Sequence, residues 1–331
     1  QASCYDEKKF EKGEKKMLVF KAVESVLSLL ILIGVGAYIT TKPWFGRTGM
    51  NICSKFTVKV AIPCYMFYNV VSTFDSPKEL LKLMSNLPIP FFTMIVSLCI
   101  GFMLARVFRV EKGRRGVFIN GVAFSNTVII GFPVVTSLFG DQATPDAMIY
   151  YMANTILFWT LGTYLLRSDG GQKARLFSKE GLKGIFSPAI LAFLLGMAVV
   201  FLNIPVPNFI FTPITLLKNT VTALAMVFIG GVMITADRQK IKMSKELAGV
   251  LVMRFIVTPV TMGLVCMALP MTLQMKQVFF VLATMPAMTQ LGIMAKESDS
   301  DYEFAAVLVT VTTVISLVAI PVYMLIISNI F

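Results

Sequence analysis

The sequence predicts an all-α integral membrane protein of ten transmembrane helices, folded as two inverted five-helix repeats whose fourth and ninth helices are broken where they cross. Three observations point there. The 331 residues are 56% hydrophobic with a mean hydropathy of +0.77, too apolar for a water-soluble chain whose surface must also be polar. Apolar runs of about 20 residues, the length that crosses ~30 Å of hydrocarbon, recur with short polar breaks. Two of those runs, in matching places of the two halves, each carry a proline beside glycines and side-chain amides.

Taken in order, a polar N-terminal tail over 1–16 precedes Met17, which would serve as a natural start. The first span, 18–40, carries Glu24, which could pair with Lys218 or reach the outer headgroups. The second, 50–72, opens with Lys55 and Lys59, anchors at the membrane surface, after the interfacial aromatic Trp44. The third is 87–108, the fourth 117–139 with Pro133, and the fifth 146–166. The sixth is 184–203; the seventh, 213–235, has Lys218 and Asn219 near its start, facing either the outer interface or an internal cavity. The eighth, 247–269, holds Arg254 a few residues in, a position from which the side chain should snorkel to the near surface. The ninth, 277–295, contains Pro286, and the tenth is 304–328. Loops are too short to hold a soluble catalytic domain.

The formal charge of +12 is topological. Basic residues follow the third span (Arg106, Arg109, Lys112, Arg114, Arg115), the fifth (Arg167, Lys173, Arg175, Lys179, Lys183) and the seventh (Arg238, Lys240, Lys242, Lys245), while the loops after spans four and six have none. By the positive-inside rule these basic loops face the cytoplasm and both termini lie outside a cell (inner) membrane. The lysines of the tail run against that orientation, but they are mixed with Glu7, Glu11 and Glu14. Nucleic-acid binding is not expected. The basic linker 167–183 divides the chain into a first repeat, 17–166, and a second, 184–331; five is odd, so the second enters the membrane upside down.

The chain has no histidine, which excludes imidazole catalysis and His-ligated zinc, and its five cysteines show neither pairing nor metal-ligand spacing. No cofactor or metal is implied. The acidic run Glu297, Asp299, Asp301 and Glu303 reads as a solvated turn, leaving no carboxylate cluster for an intramembrane enzyme. A membrane sensor is the other alternative, and it would lack an output domain.

Exposed backbone within a bilayer is tolerated only where it faces protein or a watery cavity. If the fourth span breaks between Ser125 and Pro133, near Gly131, the Asn126 amide and the free N–H groups of the second half-helix point to the centre, beside Thr127. The ninth span should do likewise at Pro286, with Ala287, Met288, Thr289 and Gln290 at the break and Met285 and Met288 lining an apolar part. Sliding one segment by roughly 160 residues superposes Gly131 on Gly292. Two such breaks make an anion cradle of dipoles and amides.

These residues resemble the auxin efflux carrier family, within the wider group that includes bile-acid sodium symporters. The resemblance rests on Ser125-Asn126-Thr127 leading to Gly131-Phe132-Pro133, on Thr284-Met285-Pro286-Ala287 with Ala295-Lys296-Glu297, on Ile62-Pro63, on Ala225 to Gly231, and on Arg254 to Pro259. It covers essentially all of Met17–Phe331. It implies the bile-acid symporter or sodium–proton antiporter-like fold, with a scaffold of spans 1, 2, 6 and 7 and a transport domain of spans 3–5 and 8–10. It also implies that Asn126 and Pro286 surround a substrate carboxylate. The plant carriers have an amide where this chain has Ala287, and an acidic residue near the third span with no clear counterpart here. The expected function is secondary transport of small organic anions, auxin-like or malonate- and malate-like, by an elevator-type motion and in the direction of efflux. The alternative is a coupled importer driven by H⁺ or by Na⁺ held on carbonyls and hydroxyls such as Ser125, Thr127 and Thr289. Expected partners are the anion, membrane lipid and a possible second copy in a homodimer.

Overall fold

The computed structural model describes residue 24 and residues 27–176, 179–235 and 243–330. The tail 1–16, Met17, Arg238, Lys240 and Lys242 lie outside them. The described residues are helical, and the one β-type contact among them is an isolated antiparallel bridge between Ser125 and Ala287.

The chain opens with α1 (Leu27–Thr40) and α2 (Gly46–Phe56), which runs through a π turn at Thr57–Ala61 into α3 (Ile62–Thr73). Then come α4 (Pro77–Met84), α5 (Pro88–Val107), α6 (Arg115–Ala123), a π turn at Thr127–Gly131 and α7 (Phe132–Phe139). After α8 (Thr144–Leu157), a π turn at Phe158–Gly162 leads into α9 (Thr163–Asp169). The remainder is α10 (Lys179–Ile185), α11 (Pro188–Phe201), α12 (Asn208–Lys218), α13 (Thr220–Thr235) and α14 (Lys245–Val252), which continues through a π turn at Met253–Val257 into α15 (Thr258–Ala268). Last come α16 (Leu273–Ala283), α17 (Gln290–Glu297) and α18 (Tyr302–Ile330).

Serines and threonines start several of these helices in the expected way. Ser76 and Ser187 each cap a helix whose first residue is proline, accepting from the N–H of Glu79 and Ile190, and Ser244 and Thr272 cap α14 and α16. Each such cap is worth about 1 kcal/mol. The π turns have a local cause as well. Those at 57–61, 127–131 and 253–257 end two residues before Pro63, Pro133 and Pro259. Proline lacks an N–H and its ring collides with the carbonyl four residues back, so widening the turn to i→i+5 bonds moves that carbonyl aside without ending the helix.

Among the described residues four stretches are long and apolar enough to cross a membrane unaided: Pro77–Val107, Asn208–Thr235, Lys245–Ala268 and Tyr302–Tyr323. Their outward faces carry exposed Phe92, Phe102, Ile256, Val260, Leu264 and Val318, a surface that only lipid or protein covers comfortably. By contrast α6 and α8 are buried on every side, and α16 nearly so, which makes them the centre of the fold. Around them α5, α9, α15, α17 and α18 pack, while α2, α3, α11, α12 and α13 pack chiefly on one another. Helix α1 joins that second group on α13, where Gly36 faces the Val227 carbonyl so closely that any side chain would displace the backbone.

The loops gather at two ends. At one, Arg114 pairs with Asp301 at 2.7 Å, Asp169 accepts the Gly116 N–H at 2.8 Å, and Gln172 donates to Asp299 at 2.6 Å. The acidic run after α17 is anchored through Asp301, which also caps the Phe304 N–H, and through the buried Ser298 and Ser300, while Glu297, Asp299 and Glu303 are exposed, in keeping with a solvated turn. At the other end Gln274 reaches the Gln142 carbonyl and Asp146, and Lys218 meets Asp141.

Candidate functional site

The two expected breaks exist and meet. Helix α6 ends at Ala123, the chain is extended through Phe124, and helical structure resumes after Asn126. Helix α16 ends at Ala283 and α17 starts at Gln290. Between them the two irregular segments run antiparallel: the Asn126 N–H donates to the Pro286 carbonyl at 2.8 Å and the Met288 N–H to the Phe124 carbonyl at 3.3 Å. Ser125 and Ala287 therefore form the pair whose own backbone groups point away from each other.

Those outward groups find side chains. Asn154 on α8 satisfies both sides of Ser125, accepting its N–H at 3.0 Å through Oδ1 and donating Nδ2 to its carbonyl at 3.0 Å. Thr312 on α18 accepts the Ala287 N–H at 3.2 Å. Both outward N–H groups and the Ser125 carbonyl of this broken backbone are thus paired.

The break in the fourth span lies at Phe124–Asn126, upstream of the proline. Pro133 sits inside the renewed helix, where the preceding π turn makes room for its ring. A Cβ at Gly131 would lie 2.7 Å from Leu282 Cδ2, so a larger residue there would push the end of that side chain aside. Gly292, its expected counterpart, has nothing within 4 Å of such an atom, so the two glycines do not share a role.

Asn126 caps the new helix, its Oδ1 accepting the Ile129 N–H at 3.3 Å, and its Nδ2 donates to Thr289 Oγ1 at 2.6 Å. Ser125, Thr127, Gly131, Pro133, Pro286, Ala287 and Met288 are buried, as is Met285, whereas Val128, Thr289 and Gln290 are half-buried. The open flank is therefore the Thr289–Gln290 side, with Asn126, itself buried at 4% exposure, directly behind Thr289. The π turn 127–131 packs against α13 and the 57–61 turn, so this flank faces the α2–α3 and α13 group. Thr127 Oγ1 is buried with no protein partner among the described residues.

Arg254 corrects the expectation of snorkelling. It is fully buried, and its guanidinium donates to the carbonyls of Met285 (2.7 Å), Val122 (2.8 Å) and Pro286 (3.4 Å) and to the Ser125 hydroxyl. The π turn that carries it adds one residue to the helix and so rotates the side chain inward, off the face that ordinary helical spacing predicts. Lys218 is buried at 7% exposure, paired with Asp141 at 2.7 Å and lying 4.1 Å from the Tyr68 ring centroid, so Glu24 is not its partner. Glu24, Lys55, Lys59 and Trp44 are exposed, in keeping with surface anchors.

Sequence reasoning missed Asn154, Thr312 and the inward role of Arg254. An amide in the middle of an apolar span is a signal in its own right, because it needs a partner there. Thr312 gave none, since a threonine can satisfy itself on its own helix, as this one also does on Leu308.

Among the described residues no group of three or more Cys, Asp or Glu could hold a metal ion. What the crossing offers is two helix beginnings, an amide and a hydroxyl on one open flank, and a buried cation behind them. Such an arrangement favours a negatively charged group.

The profile of a family described as membrane transport protein matches residues 21–324. An uncharacterized transporter of Methanothermobacter thermautotrophicus is 24% identical over 311 residues, covering 93% of this chain and 99% of its own. Another, from Methanocaldococcus jannaschii, is 22% identical over 316 residues with the same coverage of both chains.

Proposed function

We propose that this chain, which belongs to the membrane transport protein family that corresponds to the auxin efflux carriers it resembles, is a secondary carrier of small organic anions. It is a multi-pass membrane transporter and not an enzyme. The anion's carboxylate would lie on the open flank of the crossing, held by the Asn126 amide, the Thr289 hydroxyl and the first N–H groups after each break, with Gln290 beside it and Met288 along its apolar part. The observation that carries this reading is the Asn126–Thr289 pair, the amide buried and the threonine half-buried, placed where two interrupted helices both begin again.

The same reading has ten spans in two inverted repeats, 17–166 and 184–331, with the basic loops cytoplasmic and both termini outside. Support comes from the clustering of Arg114, Arg167 and Lys245 with the loop after α17 at one end of the molecule. It has α1–α3 and α11–α13 as scaffold and α5–α9 with α14–α18 as the moving unit. Beside the packing of α3 on α8 and of α13 on α7, α18 and the 127–131 turn, the side-chain polar links between the two groups among the described residues are Tyr65 to Thr136 (2.8 Å) and Thr144 (2.6 Å), Tyr151 to Ser187 (3.1 Å), and Lys218 to Asp141. A sliding motion of one group along the other would exchange these links and leave the crossing intact.

Direction follows from the field. With the inside negative by ~100 mV, expelling a monoanion gains ~2.3 kcal/mol, enough for a gradient of ~50-fold. The purified chain in liposomes loaded with labelled malonate, malate or arylacetates is expected to give saturable efflux that accelerates when a potassium diffusion potential makes the interior negative. Vesicles that retain all these carboxylates, while passing a neutral or cationic solute, would refute the assignment.

A further inference from the structure

The guanidinium of Arg254 occupies a cage of four oxygens drawn from both interrupted segments: Val122 O and Ser125 Oγ from the first, Met285 O and Pro286 O from the second. No carboxylate lies within 4 Å of it among the described residues, and Tyr150, whose hydroxyl is 3.4 Å from Ser125 Oγ, is a neutral neighbour. A charge so deeply buried with only neutral partners is costly and calls for a use. Unwound backbone carbonyls and a hydroxyl at the break of a discontinuous membrane helix are the donor set with which coupled carriers hold a dissociable cation.

We infer that Arg254 is a tethered replacement for that cation: it fills the oxygen cage at the crossing permanently, so this chain binds and moves its substrate without Na⁺ or any other alkali ion. The inference rests on the carrier reading for its consequence in transport, though not for the cage itself. The Ser125 hydroxyl, a donor expected for a sodium site, is already taken. Electrically, the crossing carries one fixed positive charge. A bound monoanion neutralises it, so the loaded unit crosses the field uncharged while the empty unit returns inward as a cation. An inside-negative potential then drives the return step.

The test uses the purified full chain and needs no substrate. Thermal midpoints measured in chloride salts of Na⁺, Li⁺, K⁺ and choline at equal ionic strength are expected to coincide for the wild type. Arg254→Ala leaves the cage empty and should lose roughly 5–10 °C, part of which millimolar methylguanidinium restores and choline does not. Arg254→Lys keeps the charge with fewer directed donors and is expected to fall between the two, which gives a folded comparison if the alanine variant is too unstable to purify. A saturable, alkali-selective rise in the wild-type midpoint, or an alanine variant as stable as the wild type, would overturn the inference. In liposomes, carboxylate flux in choline should equal flux in sodium. Flux that needs sodium would remove the tethered-cation inference and leave the carrier standing, whereas no carboxylate flux in any salt would remove the carrier and leave the cage to the thermal test.

Discussion

Asn126→Ala is expected to lower carboxylate flux by about 10- to 150-fold, the loss of one hydrogen bond to a charged group at about 1.5–3 kcal/mol. The same side chain also caps the helix that follows, so the alanine variant loses about 1 kcal/mol of stability for a reason unrelated to transport. Asn126→Asp separates the two roles. Its carboxylate still accepts the Ile129 N–H, and so keeps the cap, but it meets an incoming anion with like charge and cannot donate to it. The aspartate variant should therefore be folded and close to inactive. An aspartate variant that transports at the wild-type rate would show that the substrate's charged end lies elsewhere.

The second large effect is structural. Asn154→Ala orphans the buried Ser125 N–H, at about 1–3 kcal/mol, and removes one of two donors to its carbonyl, which the Thr127 N–H still reaches at 2.9 Å, at about 0.5–1.5 kcal/mol. The expected loss is thus about 1.5–4.5 kcal/mol, with collapse of flux because the crossing loses its register. Thr160→Val, a little further along the same helical run, is the matched control. The Thr160 hydroxyl bonds only the carbonyls of its own turn, Ile156 at 2.7 Å and Leu157 at 3.4 Å, and its removal should stay within about 0.5 kcal/mol. Thermal unfolding of the two purified variants decides the matter. Equal midpoints would mean that the broken segments hold together without Asn154.

Membrane class and the two places of interruption were legible because they rest on composition and on residue types with a single backbone meaning. A proline beside an amide in an otherwise apolar span is such a signal, and Asn126 and Pro286 do meet across the crossing. The position of the first break was harder to read. Phe124 and Ser125 have no intrinsic tendency to leave a helix; they are extended because Ala287 and Met288 offer them a partner from a segment some 160 residues away. Pro133 drew attention as the breaker, yet a π turn absorbs it. Arg254 was misread for the same class of reason. Snorkelling is an argument from depth along a regular helix, and one extra residue in the 253–257 turn redirects the side chain toward four oxygens that become available only after both breaks have formed. Lys218 shows the complementary case: its charge demanded a partner, and Asp141 was as available in the sequence as Glu24, but only the packing of α12 against α3 settled which one it took.

In the proposed binding mode an anion enters on the open side of the crossing and touches Asn126 and Thr289. The direct measurement is the rate at which an anionic thiol reagent modifies Thr289→Cys in reconstituted protein whose five native cysteines are replaced by alanine, with and without a saturating transported carboxylate. The expected result is reaction from water that the carboxylate slows at least severalfold. A cysteine at 289 that reacts equally fast in the presence of every carboxylate the protein moves would contradict it.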